Sequence, residues 1–269
     1  MTLPSYAMGL ASFPEMYEQW LVGPLFRPWA EMLPEELRLA PGDRVLDLAC
    51  GTGIVARVAR ERLGDSGRIV GIDISSDMLA VACAAAPDID WREGNAGALP
   101  LHAGERFDVV VCQQGLQFFP DKPGAAAQMR GALAPGGRLA VSTWRSDDEI
   151  PFFRDLRRMA ERHLGPIADE RFSFGDAAAL ETLLCKAGFD QVDVRTVSRS
   201  TRLEHAAAFV HLNTMALVGM SAAGRAMGEQ ERRSAVESIA RDSEETLERY
   251  ADEAGLVFEL STNLATARG

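Results

Sequence analysis

Short apolar runs alternate along residues 44–144 with stretches whose apolar residues recur at helical spacing. Val45–Leu48, Arg68–Ile74, Ile89–Glu93, Phe107–Cys112 and Leu139–Trp144 read as strands, and Phe107–Cys112 is apolar enough to be covered on both faces. Ile54–Leu63, Ser76–Ala86 and Lys122–Leu133 read as helices between them. Strand–helix alternation of this kind predicts an α/β architecture built on a parallel sheet. Upstream, Phe13, Met16, Tyr17, Trp20 and Leu21 fall on one helical face behind Pro14, and a second short helix is expected over 25–37. Downstream, 147–164 and 176–187 have helical spacing, whereas Val192–Val197 and Leu256–Leu264 alternate as a sixth and a seventh strand. The 204–254 segment between those strands is too long for a structureless loop and is expected to be mostly helical. Its first half, His205–Met220, is apolar and rich in Met; its second half, Gly228–Glu253, is charged.

The stretch Asp47-Leu48-Ala49-Cys50-Gly51-Thr52-Gly53 joins the first strand to its helix. Gly51 and Gly53 suit a tight turn that lets a ligand approach the main chain. Such a turn, at the carboxyl edge of a parallel sheet, is where doubly wound folds bind nucleotide-like ligands. Asp47 narrows the ligand. A carboxylate beneath the turn repels a pyrophosphate and attracts an ammonium or sulfonium group. Asp73 ends the second strand 22 residues after Gly51, where a carboxylate accepts hydrogen bonds from both hydroxyls of a ribose.

At this point the chain resembles the class I S-adenosylmethionine-dependent methyltransferases, whose first motif reads strand–Asp/Glu–x–x–x–Gly–x–Gly. The resemblance continues through Gly94-Asn95-Ala96 before Leu99-Pro100, with Asn95 where the family has an acid, and through Pro135-Gly136-Gly137 ahead of the fifth strand. Within the family the closest flavour is the ubiquinone/menaquinone-biosynthesis branch. The resemblance implies S-adenosylmethionine as cofactor, with contacts from Asp47, Ala49, Gly51, Thr52, Gly53, Asp73, Ile74, Met78, Asn95, Ala96, Gln113 and Gln114. It also implies a doubly wound seven-stranded sheet, order 3-2-1-4-5-7-6 with the last strand antiparallel, carrying an N-terminal helical cap and a helical insertion between strands 6 and 7. One methyltransferase domain is expected over 1–269, with a cap at 1–35, a cofactor-binding core at 40–145 and an acceptor lid at 204–254.

The expected reaction is in-line methyl transfer to a small-molecule acceptor of quinone, phenol or secondary-metabolite type. Tyr17, Trp20, Phe118, Phe209 and Met215 are candidates for the acceptor pocket, and His205 and His211 are candidates for a general base. Two alternatives stay open: a protein that binds the cofactor without methylating, and a nicotinamide-dependent oxidoreductase. The second would want a Tyr–Lys relay, and no tyrosine is followed by a nearby lysine.

Charge and cysteine content narrow the partners. A formal net charge of −11 disfavours nucleic acid and anionic membrane surfaces, where Lys and Arg supply most of the affinity. Cys50, Cys83, Cys112 and Cys185 have no metal-like or disulfide-like spacing, so no metal and a reduced, cytoplasmic setting are expected. No secretory signal is evident, and no apolar run approaches the ~20 residues of a membrane span. A homodimer is compatible with the insertion's apolar half.

Overall fold

The computed structural model describes residues 13–269; residues 1–12 of the expected cap lie outside that range. An eight-stranded sheet forms the middle layer. Its strands are β1 (Arg44–Leu48), β2 (Arg68–Asp73), β3 (Asp90–Glu93), β4 (Phe107–Gln113), β5 (Leu133–Trp144), β6 (Asp190–Leu203), β7 (Ala251–Asp252) and β8 (Gly255–Arg268). The order is β3-β2-β1-β4-β5-β8-β6. The first five strands are parallel, and β8 runs antiparallel to both β5 and β6. This is the expected order, with one addition: the two-residue β7 folds back on the start of β8.

The central parallel strands β1, β2 and β4 are largely apolar because helices cover both faces, whereas the edge strand β3 is polar. Val45, Val109 and Val111 face one side with Ile54, Val55, Val58 and Ala59 of the helix Ile54–Leu63. Leu46, Leu48, Val110 and Cys112 face the other, against Met129 of the helix Lys122–Ala132 and Leu180 and Leu184 of the helix Ala177–Lys186. Alternate residues of a strand thus serve two cores. The last two strands are much longer than Val192–Val197 and Leu256–Leu264 suggested, because their twelve-pair antiparallel register continues past the other strands.

The N-terminal segment departs from the expected pair of helices. An α-helical turn, Phe13–Tyr17, passes into a π-helical stretch, Glu18–Phe26, and then into short α-helical turns Arg27–Ala30 and Leu33–Glu36. Pro24 and Pro28 supply no backbone N–H to a regular ladder, and the Arg27 N–H reaches back five residues to the Val22 carbonyl. The segment lies beside Ile54–Leu63: Ala30, Leu33 and Leu37 join the core on that face. Farther along the sheet, Leu25 and Trp29 pack with Trp144.

The 204–254 region forms helices Ala206–Met220, Ala222–Ala226, Glu229–Asp242 and Glu244–Glu248. Among the described residues, no helix is long and apolar enough to cross a membrane.

Candidate functional site

The turn after β1 is shaped by backbone conformation first. Ala49 (φ 56°), Gly51 (φ 54°) and Gly53 (φ 86°) are all left-handed, so the chain reverses within five residues of the strand. A side chain at Gly51 would meet no atom within 4 Å, so there is open room beside that backbone. At Gly53 there is none, because a Cβ would lie 2.3 Å from the Trp91 indole. That indole also crowds Gly71, where a Cβ would again come within 2.3 Å. Two glycines therefore let one tryptophan of β3 brace the turn from below.

The two carboxylates act at different depths. Asp47 is 1% exposed and accepts the Ala56 N–H at 3.0 Å, satisfying one of the unpaired donors at the start of the helix. Burial pushes its pKa up to about 8; the Ala56 N–H pulls it down, and the nearby charge of Asp73 raises it further. Asp73 is half-buried at the end of β2. It accepts the Gly51 N–H at 2.8 Å and the Ser75 N–H at 2.9 Å, one on each oxygen. Burial raises its pKa, while those N–H bonds and one from Ile74 oppose the shift. The Asp73 carboxylate keeps acceptor capacity for a further donor. Burial also raises the Cys50 thiol, helped by both carboxylates. Desolvation leaves these acids reluctant to ionise on their own, and a cation placed above the turn would favour their charged forms.

Around this turn, Ile74 is 62% exposed, a large apolar side chain presented to solvent directly after Asp73. Met78 is half-buried in the first turn of the helix Ser76–Ala85, whose N-cap Ser75 accepts the Met78 N–H. Asn95 is exposed, and its Oδ1 already accepts the Gly97 N–H at 2.8 Å; Ala96 beside it is half-buried. The Asn95 oxygen expected to serve a ligand is thus engaged in its own turn, with one lone pair left. Thr52 is buried, and its hydroxyl has no partner.

The turn after β4 faces the first. Gln114 is left-handed (φ 54°), and Gly115 is so close that a Cβ there would lie 2.5 Å from the Ala49 Cβ. Gln113 donates through Nε2 to the Phe26 carbonyl at 3.2 Å, tying the N-terminal segment to this end of the sheet. Gln114 donates to Thr262 Oγ1 at 2.9 Å, and Gln117 to the Gln114 carbonyl at 2.9 Å. The Oε1 atoms of all three glutamines are buried and unpartnered, as are Ser142 Oγ and Thr143 Oγ1. Buried polar atoms are ordinarily paired, so such a concentration at one end of a sheet marks a place for a hydrogen-bonding ligand. Gln117 was absent from the sequence-based candidates, although three glutamines within five residues after a strand is a readable signal.

Other candidates lie elsewhere. Phe209 is 2% exposed and packs with Phe152 and Phe153, 5.6 and 5.9 Å between ring centroids. Met215 is buried with Met16, Leu164 and Val236. Both belong to apolar cores rather than to the site, because the helix Ala206–Met220 is covered by Glu229–Asp242 on one side and by Pro151–Leu164 on another. His211 is lowered in pKa by burial, with Glu237 of the outer helix opposing, so its charged neighbour comes from that helix and not from the turns. His205 is exposed, with its ring edge-on to Trp20 at 4.6 Å. Phe118 is 49% exposed at the rim. Tyr17 packs against Phe26 at 5.1 Å, and no residue among those described hydrogen-bonds its hydroxyl. Burial, then the charges of Asp73 and Glu18, raise the Tyr17 pKa, which puts its phenol near the cofactor-side carboxylate.

Comparison with known proteins names the family. A family model described as a methyltransferase domain matches residues 45–137. The 2-phytyl-1,4-naphtoquinone methyltransferase of Thermosynechococcus vestitus is 38% identical over 185 residues, covering 62% of this chain and 81% of the relative. The chain belongs to the class I S-adenosylmethionine-dependent methyltransferases of the ubiquinone/menaquinone type. Phosphoethanolamine N-methyltransferase 2 of Haemonchus contortus, solved with S-adenosyl-L-methionine, shares the fold at 16% identity, with a TM-score of 0.56, over 95% of this methyltransferase and 55% of that chain. The cyclase SpnF also shares it, at 22% identity and a TM-score of 0.55, over 90% of this methyltransferase and 80% of that chain. The fold is therefore wider than one reaction, and membership rests on sequence. The nicotinamide alternative falls with it. The residues fit the cofactor: the open backbone at Gly51, the remaining acceptor capacity of Asp73 and a buried carboxyl at Asp47 that a cation would ionise suit a cationic nucleoside.

Proposed function

We propose that this methyltransferase acts on a small, neutral acceptor of quinol, phenol or related secondary-metabolite type, held between the turn after β4 and the N-terminal segment. The observation that carries the reading is the set of unpartnered buried amide oxygens on Gln113, Gln114 and Gln117, beside the cofactor turn. Amide oxygens accept hydrogen bonds, and a hydroxyl-bearing acceptor supplies the donors they lack. Relatives named as quinone methyltransferases fit the same chemistry.

When bound, S-adenosylmethionine would supply an electrophilic methyl on a sulfonium, which would leave as a neutral thioether while the acceptor's proton passes to solvent. The chain's own share is placement and exclusion of water. In this reading Asp73 receives the ribose hydroxyls, Gly51 and Gly53 let the backbone come close, and Ile74 and Met78 cover a flat base. Asp47 works from beneath, as a charge under the turn and not as a direct contact. The glutamines orient the acceptor hydroxyl, and the Phe26 and Trp144 rings, with centroids 6.0 Å apart, lie on the N-terminal side. Neither His205 nor His211 is given the role of base. The Tyr17 phenol, near Asp73 and without a partner among the described residues, is better placed to touch the reacting groups.

Incubating the purified protein with labelled S-adenosylmethionine and a panel of quinols, phenols and amines tests the reading. Label in a quinol or phenol, with matching S-adenosylhomocysteine, is expected. Transfer to amines alone would overturn it.

A further inference from the structure

Glu18 and Arg57 reach the glycine turn from opposite sides. Glu18 opens the π-helical stretch of the N-terminal segment, and Arg57 sits one helical turn beyond Gly53. Arg57 Nη2 donates to Glu18 Oε1 at 2.7 Å, and Arg57 Nε donates to the Gly53 carbonyl at 3.4 Å. The guanidinium is thus folded back over the turn and not extended into solvent. Its side chain is 21% exposed and that of Glu18 is 25% exposed.

The second oxygen of Glu18, Oε2, is buried and has no partner. Nη1 of Arg57 likewise takes no hydrogen bond among the described residues. A second ion pair between the same two elements shows what a plain latch looks like. Arg27 Nη2 donates to both oxygens of Glu61, at 3.1 and 3.0 Å, and the pair is largely exposed. Glu18–Arg57 differs on both counts: it is more buried, and each side keeps one group without a partner among the described residues. A buried carboxylate oxygen and a guanidinium N–H left open next to each other are complementary to a zwitterion, the oxygen to an ammonium and the N–H to a carboxylate.

We propose that Glu18 and Arg57 form the clamp for the amino-acid end of S-adenosylmethionine, Glu18 receiving its α-ammonium and Arg57 its α-carboxylate. This rests on the cofactor assignment of the family. The glycine turn and Asp73 hold the nucleoside end, and the clamp holds the zwitterion between the helix Ile54–Leu63 and the N-terminal segment. Bound cofactor then bridges the two elements, so the N-terminal segment is held in place partly by the ligand it covers.

The test compares S-adenosylhomocysteine with 5′-methylthioadenosine, which keeps the adenosine and the thioether but lacks the amino-acid group. Calorimetry measures both ligands on the wild type, Glu18→Gln, Arg57→Met and Arg57→Lys, with melting of each ligand-free protein as a control. S-adenosylhomocysteine is expected to bind at least tenfold more weakly to Glu18→Gln and Arg57→Met, while 5′-methylthioadenosine stays within twofold of wild type. Arg57→Lys is expected to fall between, since it keeps the charge without the planar fork. Equal losses for both ligands make the pair a latch and overturn the clamp, as does no loss for either. If Arg57→Met does not fold, Glu18→Gln and Arg57→Lys decide by the same ratio. A wild type that binds neither ligand overturns the cofactor assignment itself, and the clamp with it.

Discussion

The turns after β1 and β4 are built alike and carry opposite chemistry. Each leaves its strand through a left-handed residue that is not glycine, Ala49 in one and Gln114 in the other, and they touch where Gly115 meets the Ala49 Cβ. The first is lined by carboxylates whose oxygens are already engaged by backbone N–H groups. It is preorganised, and its electrostatics choose a charge type. The second is lined by neutral amides, each using its nitrogen and leaving its oxygen bare. It is incomplete until a donor arrives. On the proposed reading, cofactor binding is set by a preformed carboxylate turn, and acceptor binding by an unmet hydrogen-bonding demand.

Removing Asp73 strikes the first turn hardest. Asp73→Ala leaves the N–H groups of Gly51 and Ser75 unpaired and removes the ribose acceptor, a loss of about 3 kcal/mol or more, over a hundredfold in Kd. Calorimetry with S-adenosylhomocysteine checks it, and unchanged affinity would take Asp73 out of the site.

Forcing the two turns apart comes next. Gly115→Val puts a Cβ 2.5 Å from the Ala49 Cβ and 3.1 Å from Cys112 Sγ, and overpacking of this kind destabilises by about 2 kcal/mol. Thermal melting is expected to show the loss. An unshifted Tm would mean that the turns are free to separate.

Damage confined to the second turn is expected to spare the first. Gln117→Leu should lower kcat/KM for the acceptor by about tenfold, the weight of one lost hydrogen bond, with cofactor affinity unchanged. Steady-state kinetics separates the two, and loss of cofactor binding would erase the distinction between the turns.

Asp47 sharpens the electrostatic half. Its folded pKa is raised to about 8, so the ligand-free protein holds this proton at pH 7 where the unfolded chain does not. Its contribution therefore lowers stability as pH rises from about 4 to about 8. A cation above the turn favours the ionised form and expels the proton. Affinity is then expected to rise by up to about tenfold per pH unit until about pH 8, and to level off above it. Calorimetry in buffers of different ionisation enthalpy should register up to one proton released at pH 7, and none in Asp47→Asn. The smallest effect belongs to the histidines: His205→Ala and His211→Ala should leave kcat within about twofold, since the unpartnered polar atoms lie elsewhere.

The insertion and the core differ in how openly the sequence declares them. Asp47, Gly51, Gly53 and Asp73 are positioned by neighbours a few residues away or by one strand pairing, so spacing alone makes the turn they form legible. Phe209, Met215 and His211 had the right residue types in an apolar helix, but periodicity does not say which of several neighbours covers which face. The structure sends Phe209 to Phe152 and Phe258, Met215 to Met16 and Val236, and His211 toward Glu237. Glu18 and Arg57, 39 residues apart, had no local signal at all until the N-terminal segment was seen beside the turn.

What the chain order of residues determined by itself was the alternating sheet-and-helix layer, the glycine turn and the sign of its charge. Those features follow from hydrophobic period, from φ angles that glycine permits, and from carboxylates fixed at strand ends. Only the tertiary structure decided which amides were left unpaired, which aromatics became core, and which arginine met which glutamate across the turn. Those outcomes depend on desolvation and on contacts between distant segments, and neither quantity exists until the layers are stacked.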